Sequence, residues 1–188
     1  MDNERLNILK LLIENQETEF SIRQIAIQRN INYKSAYLNI EILAKEGIVK
    51  LKKLGNTTLC SFNQQFNTSV FEVEHARLQD LLKNKNFLVL YNHLAKINAQ
   101  FILLLFGSYA KGKQSKGSDI DLLLITDTPK HVESQLKLLP LPIHLTHATY
   151  EEFLSMLHST EFTAVSEAIK HNILLFGIED YYRLINNA

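Results

Sequence analysis

The sequence predicts an α+β protein built in two parts, and three observations carry that reading. Three helical segments followed by a β-hairpin fill residues 1–65. A continuous apolar run, Phe101-Ile102-Leu103-Leu104-Leu105-Phe106, reads as a strand buried on both faces. Beyond it, strand-like and helix-like segments alternate to the end of the chain. The chain of 188 residues is long enough for one large domain or two small ones. Apolar residues make up 46% and charged residues 21%, a balance that excludes a disordered chain. Twenty basic residues cancel twenty acidic ones. A neutral total gives no argument for nucleic acid, but it can conceal opposite charges in different regions. The single cysteine, Cys60, rules out an intramolecular disulfide and reads as a buried, inert thiol in a strand. The N-terminus lacks the pattern of a signal peptide, and the longest apolar runs are too short to span a bilayer, so a soluble cytoplasmic protein is expected.

The elements follow in order. Leu6, Leu9 and Ile13 recur at helical spacing and predict a first helix over Glu4 to Glu14. Ser21 and Gln24 form a capping box for a second helix whose apolar face is Ile22, Ile25 and Ala26. Asn32 caps a third, Tyr33 to Glu46, with Ala36, Ile40 and Leu43 on one side and Gly47 as its stop. Two β-prone runs, residues 48–54 and 58–62, flank a turn at Gly55-Asn56 and read as a hairpin. From Thr68 to about Leu94 the chain reads as helical, with Val73, Leu78, Leu81 and Leu82 on one side and no flexible composition. The organisation expected is therefore residues 1–65, connecting helices over 66–98, and a second domain over 99–188. In that domain the Phe101–Phe106 strand is followed by a strand over Asp119 to Thr126. A helix starts at Thr128-Pro129 and runs through Leu138. A third strand is expected over Pro142 to Thr146, and a Thr149/Glu152 capping box opens the next helix. Helical sequence through His171, a short strand at Ile173 to Phe176, and a helix from Glu179 to Ile185 complete the chain.

Three helices and a hairpin in this order resemble a winged helix-turn-helix domain. The resemblance covers residues 1 to about 65. Between Arg23 and Lys53 seven basic residues face two acids, Glu41 and Glu46, a net +5 that the neutral total hides. In that family the third helix enters the major groove of double-stranded DNA and the wing touches the flanking backbone. The resemblance thus implies DNA contacts at Tyr33, Lys34, Ser35 and Tyr37, with Lys52 and Lys53 on the wing. A basic, solvated face used for protein contacts or homodimer formation is the competing reading.

The segment from Phe106 to Leu122 carries the chemistry. Gly107-Ser108 directly follows a buried strand, and ten residues separate Ser108 from Asp119. Asp119 and Asp121 flank one apolar residue, so on a strand both carboxylates project from one face. Two ionised carboxylates this close repel and call for a cation. Magnesium, which prefers oxygen ligands and shares substrate phosphates, suits them. Gly107 allows close backbone approach to a phosphate, Ser108 offers a hydroxyl, and Lys111, Lys113 and Lys116 add positive charge.

The stretch FGSYAKGKQSKGSDIDLL resembles the signature of the DNA polymerase beta-like nucleotidyltransferases: an apolar residue, Gly-Ser, a gap of about ten, then Asp-apolar-Asp-apolar. The resemblance implies a small α/β domain with a mixed sheet. It also implies nucleotide contacts at Gly107, Ser108, Lys111 and Ser118, with Asp119 and Asp121 as catalytic ligands of Mg2+. In that family a hydroxyl attacks the α-phosphate of an NTP such as ATP, and pyrophosphate leaves. One departure stands out. The family usually carries a third acid on a later strand, and the corresponding strand here offers His144. His144 is a candidate general base, since histidine titrates near neutrality; an ordinary strand histidine is the alternative. The expected function is magnesium-dependent nucleotidyl transfer to an unidentified hydroxyl, coupled to DNA binding. Two alternatives stay open. One is a DNA-binding regulator whose degenerate transferase domain only senses nucleotide. The other is an antitoxin-like protein that modifies a protein acceptor.

Overall fold

A computed structural model describes residues 3–157 and 164–186. The chain divides into two compact units, Met1–Val73 and Glu74–Ala188. In the first, helices α1 (Asn3–Glu14), α2 (Ile22–Arg29) and α3 (Tyr33–Lys45) are followed by strands β2 (Val49–Leu54) and β3 (Thr57–Phe62). The caps read from the sequence are present. Ser21 and Gln24 satisfy each other's backbone amides, and Asn32 accepts from the Ser35 amide. Gly47, at φ +75°, lets the chain leave α3 towards β2. Ile8, Leu9, Leu12, Ile25, Ala36, Ile40, Leu43 and Cys60 are almost wholly inaccessible and form the apolar interior. Leu6, expected on the core face of α1, is only half-buried; Ile8, Leu11 and Leu12 are buried with Leu9 and Ile13. The sequence reading lacked β1 (Phe20–Ser21), which pairs antiparallel with β3 and makes the sheet three-stranded, in the order β1-β3-β2. Two residues carry no periodicity, so only the pairing defines this strand. Burial, and after it Glu41, pushes the Cys60 thiol up to about 11, which fits an inert thiol.

Helix α4 (Thr68–Leu82) runs across the division between the units, and α5 spans Lys85–Leu94. The helical sequence through Leu94 is therefore interrupted. Asn84 leaves helical geometry (φ −79°, ψ 122°) and its side chain accepts from the Asn86 amide, so it caps a new helix.

The second unit holds β4 (Ile102–Phe106), α6 (Gly107–Ala110), β5 (Ile120–Ile125), α7 (Lys130–Leu136) and β6 (Ile143–Ala148). After them come α8 (Tyr150–Leu157), α9 (Ala164–Lys170), β7 (Ile173–Phe176) and α10 (Ile178–Asn186). The sheet order is β6-β5-β4-β7, with β5 and β6 parallel and the other pairs antiparallel, so the sheet is mixed. Every residue of β4 is buried, as an apolar run without alternation requires. On one face Leu103, Leu105, Leu122 and Leu124 share a core with Phe87, Leu90 and Leu94 of α5 and Val132 and Leu136 of α7. Leu104 and Leu123 alternate to the opposite face, where α9 and α10 lie against β4. Helix α7 is shorter than its sequence suggests: it stops at Leu136, and Leu138 is exposed.

A buried polar cluster lies within this unit. Glu74 of α4 is fully buried; its two oxygens accept from Arg77 Nη1 and from the Tyr182 hydroxyl, each at 2.6 Å. Arg77 Nη2 donates to the Asn172 carbonyl at 2.5 Å. Breaking such a pair from one side leaves a buried charge without its partner, which costs about 3–5 kcal/mol. Burial drives the Tyr181 and Tyr182 hydroxyls well above their usual range, so both remain phenols. Among the described residues no helix is long and apolar enough to cross a membrane.

Candidate active site

The site begins where β4 ends. Phe106 is extended, and Gly107 turns the chain at φ +69° into the single helical turn α6. Lys111 and Lys113 close that turn through their amides, bonded to the Gly107 and Ser108 carbonyls at 3.2 and 2.9 Å. Tyr109 anchors it by an edge contact with Phe87, with ring centroids 5.3 Å apart. A Cβ placed on Gly107 would lie 2.2 Å from Oδ2 of Asp121. The bare glycine therefore makes room for the carboxylate itself, a role the motif alone did not reveal; the positive φ gives a second reason for glycine.

Register brings the three strands together at one level. Phe106 pairs with Asp121 across β4 and β5, and Asp121 pairs with His144 across β5 and β6. Nδ1 of His144 lies 3.2 Å from Oδ1 of Asp121. An ionised carboxylate only accepts, so in this contact Nδ1 is the donor. The His144 side chain is 66% exposed and that of Asp121 28%. The two oxygens of Asp121 are thus differentiated: Oδ1 faces the imidazole and Oδ2 faces Gly107.

Asp119 precedes the strand, which starts at Ile120, and is exposed. Ile120 is held by a 2.7 Å bond from its amide to the Pro142 carbonyl, which ties the start of β5 to the approach to β6. Ser118, expected at the nucleotide, folds its own loop: its hydroxyl accepts from the Ser115 amide at 2.9 Å. Lys113 and Lys116 are exposed. Lys111 is ion-paired at 2.6 Å with Glu167 of α9. Glu167 lies 56 residues on, and no local pattern in the sequence marks it. Among the described residues no three His, Cys, Asp or Glu side chains form a ready metal cage. The Asp121 carboxylate beside the cleared glycine, with Asp119 exposed two residues before it, is a donor set that suits a divalent cation completing its shell with substrate phosphate and water. Asp119 and Asp121 are the residues that would hold it.

In the first unit, Tyr33 and Tyr37 are 56% and 43% exposed on α3, and Lys34 is exposed beside them. Ser35 is turned to internal work. Its hydroxyl donates to Glu4, its amide to Asn32, and its carbonyl accepts from Asn39. Lys52 pairs with Glu19 at 3.4 Å, and Lys53 is exposed. Leu38 and Ile42 add exposed apolar surface to α3.

Comparison with protein families matches residues 94–171 to the nucleotidyltransferase domain. The matched span runs from the end of α5 through α9 and contains Gly107, Asp119, Asp121, His144 and Glu167. It supports a nucleotidyltransferase domain in the second unit, and with it a nucleotide as substrate. Comparisons with curated proteins and with solved structures give no match.

Proposed function

We propose that the second unit transfers a nucleoside monophosphate from an NTP to an acceptor hydroxyl with magnesium, and that the first unit is a winged helix that binds double-stranded DNA. The observation that carries the enzymatic reading is the placement of Asp121 between Gly107 and His144 at one level of the sheet. Gly107, Ser108 and Lys111 hold the triphosphate. Asp119 and Asp121 hold magnesium, which neutralises charge developing on the phosphates. Asp121 fixes the imidazole so that Nε2 of His144 faces outward as a base. The acceptor oxygen then forms its bond to the α-phosphorus, its proton passes to Nε2, and the bond to the β-phosphate bridge breaks to release pyrophosphate. The DNA reading rests on the net +5 of residues 23–53 and on the exposed Tyr33, Lys34 and Tyr37.

A second reading has its own support: a histidine stands where an acid is expected, which fits a domain that binds nucleotide and no longer transfers it. A protein acceptor, as in antitoxin-like relatives, is one form of the first reading. The test is incubation with α-labelled ATP, GTP, CTP and UTP, magnesium and a cell lysate. Label should enter one acceptor, and Asp119→Asn with Asp121→Asn should abolish it and weaken magnesium-dependent NTP binding in calorimetry. Binding unchanged in that double variant would remove the assigned metal site.

A further inference from the structure

We infer that Glu167 is an internal competitor of the nucleotide for Lys111. The inference rests on the reading of the Gly107-Ser108 turn as a nucleotide site. Lys111 directly follows the α6 turn, and its amide bonds the Gly107 carbonyl. It is the first lysine after the turn that takes the phosphates; Lys113, whose amide bonds the Ser108 carbonyl, and Lys116 follow along the exposed loop. Its ammonium does not extend into solvent but meets Oε1 of Glu167 at 2.6 Å. Both side chains are partly exposed, at 33% and 26%, so water screens the pair in part.

A carboxylate offers an ammonium what a phosphate offers, namely anionic oxygens at hydrogen-bonding distance. The two ligands therefore exclude one another on a single ammonium. Glu167 satisfies Lys111 in the nucleotide-free protein, and a triphosphate must release it. Glu167 thus sets nucleotide affinity without touching the nucleotide.

The test is calorimetry of the full chain with magnesium and α,β-methylene-ATP, a probe that is not cleaved at the α-phosphate. Glu167→Gln should tighten binding about five-fold, the size expected from removing a partly screened ion pair. Lys111→Met should weaken it, and adding Glu167→Gln to Lys111→Met should change nothing further. Adenosine binding should be the same in wild type and Glu167→Gln. Should Glu167→Gln fail to fold, carboxyl footprinting of the wild type replaces it: labelling of Glu167 should rise when the probe binds. Tightening of equal size in the Lys111→Met background would overturn the inference. So would probe binding with neither an affinity change in Glu167→Gln nor altered labelling of Glu167. Absence of probe binding in wild type and Glu167→Gln alike would overturn the nucleotide-site reading as well.

Discussion

At the scale of single residues, His144 divides the two functional readings of the second unit. It stands beside Asp121 on a parallel strand, with Nδ1 at hydrogen-bonding distance from the carboxylate. As a base it lowers the barrier for the acceptor hydroxyl without holding the nucleotide. His144→Ala should therefore slow transfer by ~10²–10⁴ while leaving NTP affinity nearly intact. His144→Asp restores the usual acid and should retain or raise the rate. Single-turnover transfer and calorimetry on the same variants check both statements. If the wild type labels nothing and His144→Asp gains activity, the natural protein is a sensor. Equal activity in wild type and His144→Ala would make this histidine structural. The face of His144 is legible in the sequence, because alternation along the expected strand Pro142–Thr146 separates it from Ile143 and Leu145, and the Asp-apolar-Asp spacing marks the start of β5. The partner of Lys111 was not legible: Glu167 reaches it only through tertiary packing, and its own helix gives no sign of it.

At the scale of elements, the turn from β4 into α6 is the most demanding joint near the site. Gly107 combines a φ of +69° with the 2.2 Å approach of a Cβ to Asp121 Oδ2. Gly112 has a similar φ of +64° and nothing within 4 Å. Alanine at Gly112 should therefore show the backbone cost alone, about 1–3 kcal/mol. Alanine at Gly107 should cost more, and should also weaken magnesium-dependent NTP binding by displacing the carboxylate. Thermal unfolding with calorimetry on both variants separates the two effects; equal losses in both assays would mean that Asp121 moves aside freely. Element boundaries were legible where glycine supplies a positive φ, as at Gly47, or where a capping side chain enforces them, as at Ser21, Asn32 and the Thr149/Glu152 pair. At that last cap the Thr149 amide and hydroxyl hold the Glu152 carboxylate below its usual range. They were not legible where a single cap interrupts favourable helical sequence, as at Asn84, or where a two-residue strand exists only through its partner, as at β1.

At the scale of the whole molecule, the formal charge of zero conceals a basic region, and this asymmetry gives the DNA reading its test. Phosphate contacts release counterions, so affinity should fall steeply between roughly 50 and 200 mM salt. Lys53 is exposed and should contribute a full contact, whereas Lys52 must first leave Glu19. An exposed pair of that kind is worth at most about 1 kcal/mol, so Lys52 remains available to a phosphate. Alanine at either position should weaken binding to all sequences alike and reduce the salt slope by about one, with the smaller affinity loss at Lys52. Substitutions at Lys34 or Tyr37 should instead change which sequence is preferred. Ser35→Ala should act mainly on stability, because its hydroxyl serves Glu4. Fluorescence anisotropy with random and selected duplexes over a salt series measures all of these together. Leu38 and Ile42 supply the counter-prediction, since exposed apolar side chains on α3 suit a protein partner better than a phosphate backbone. A protein that shifts no genomic fragment at low salt, yet changes oligomeric state on Leu38→Glu, would move α3 from DNA reading to self-association.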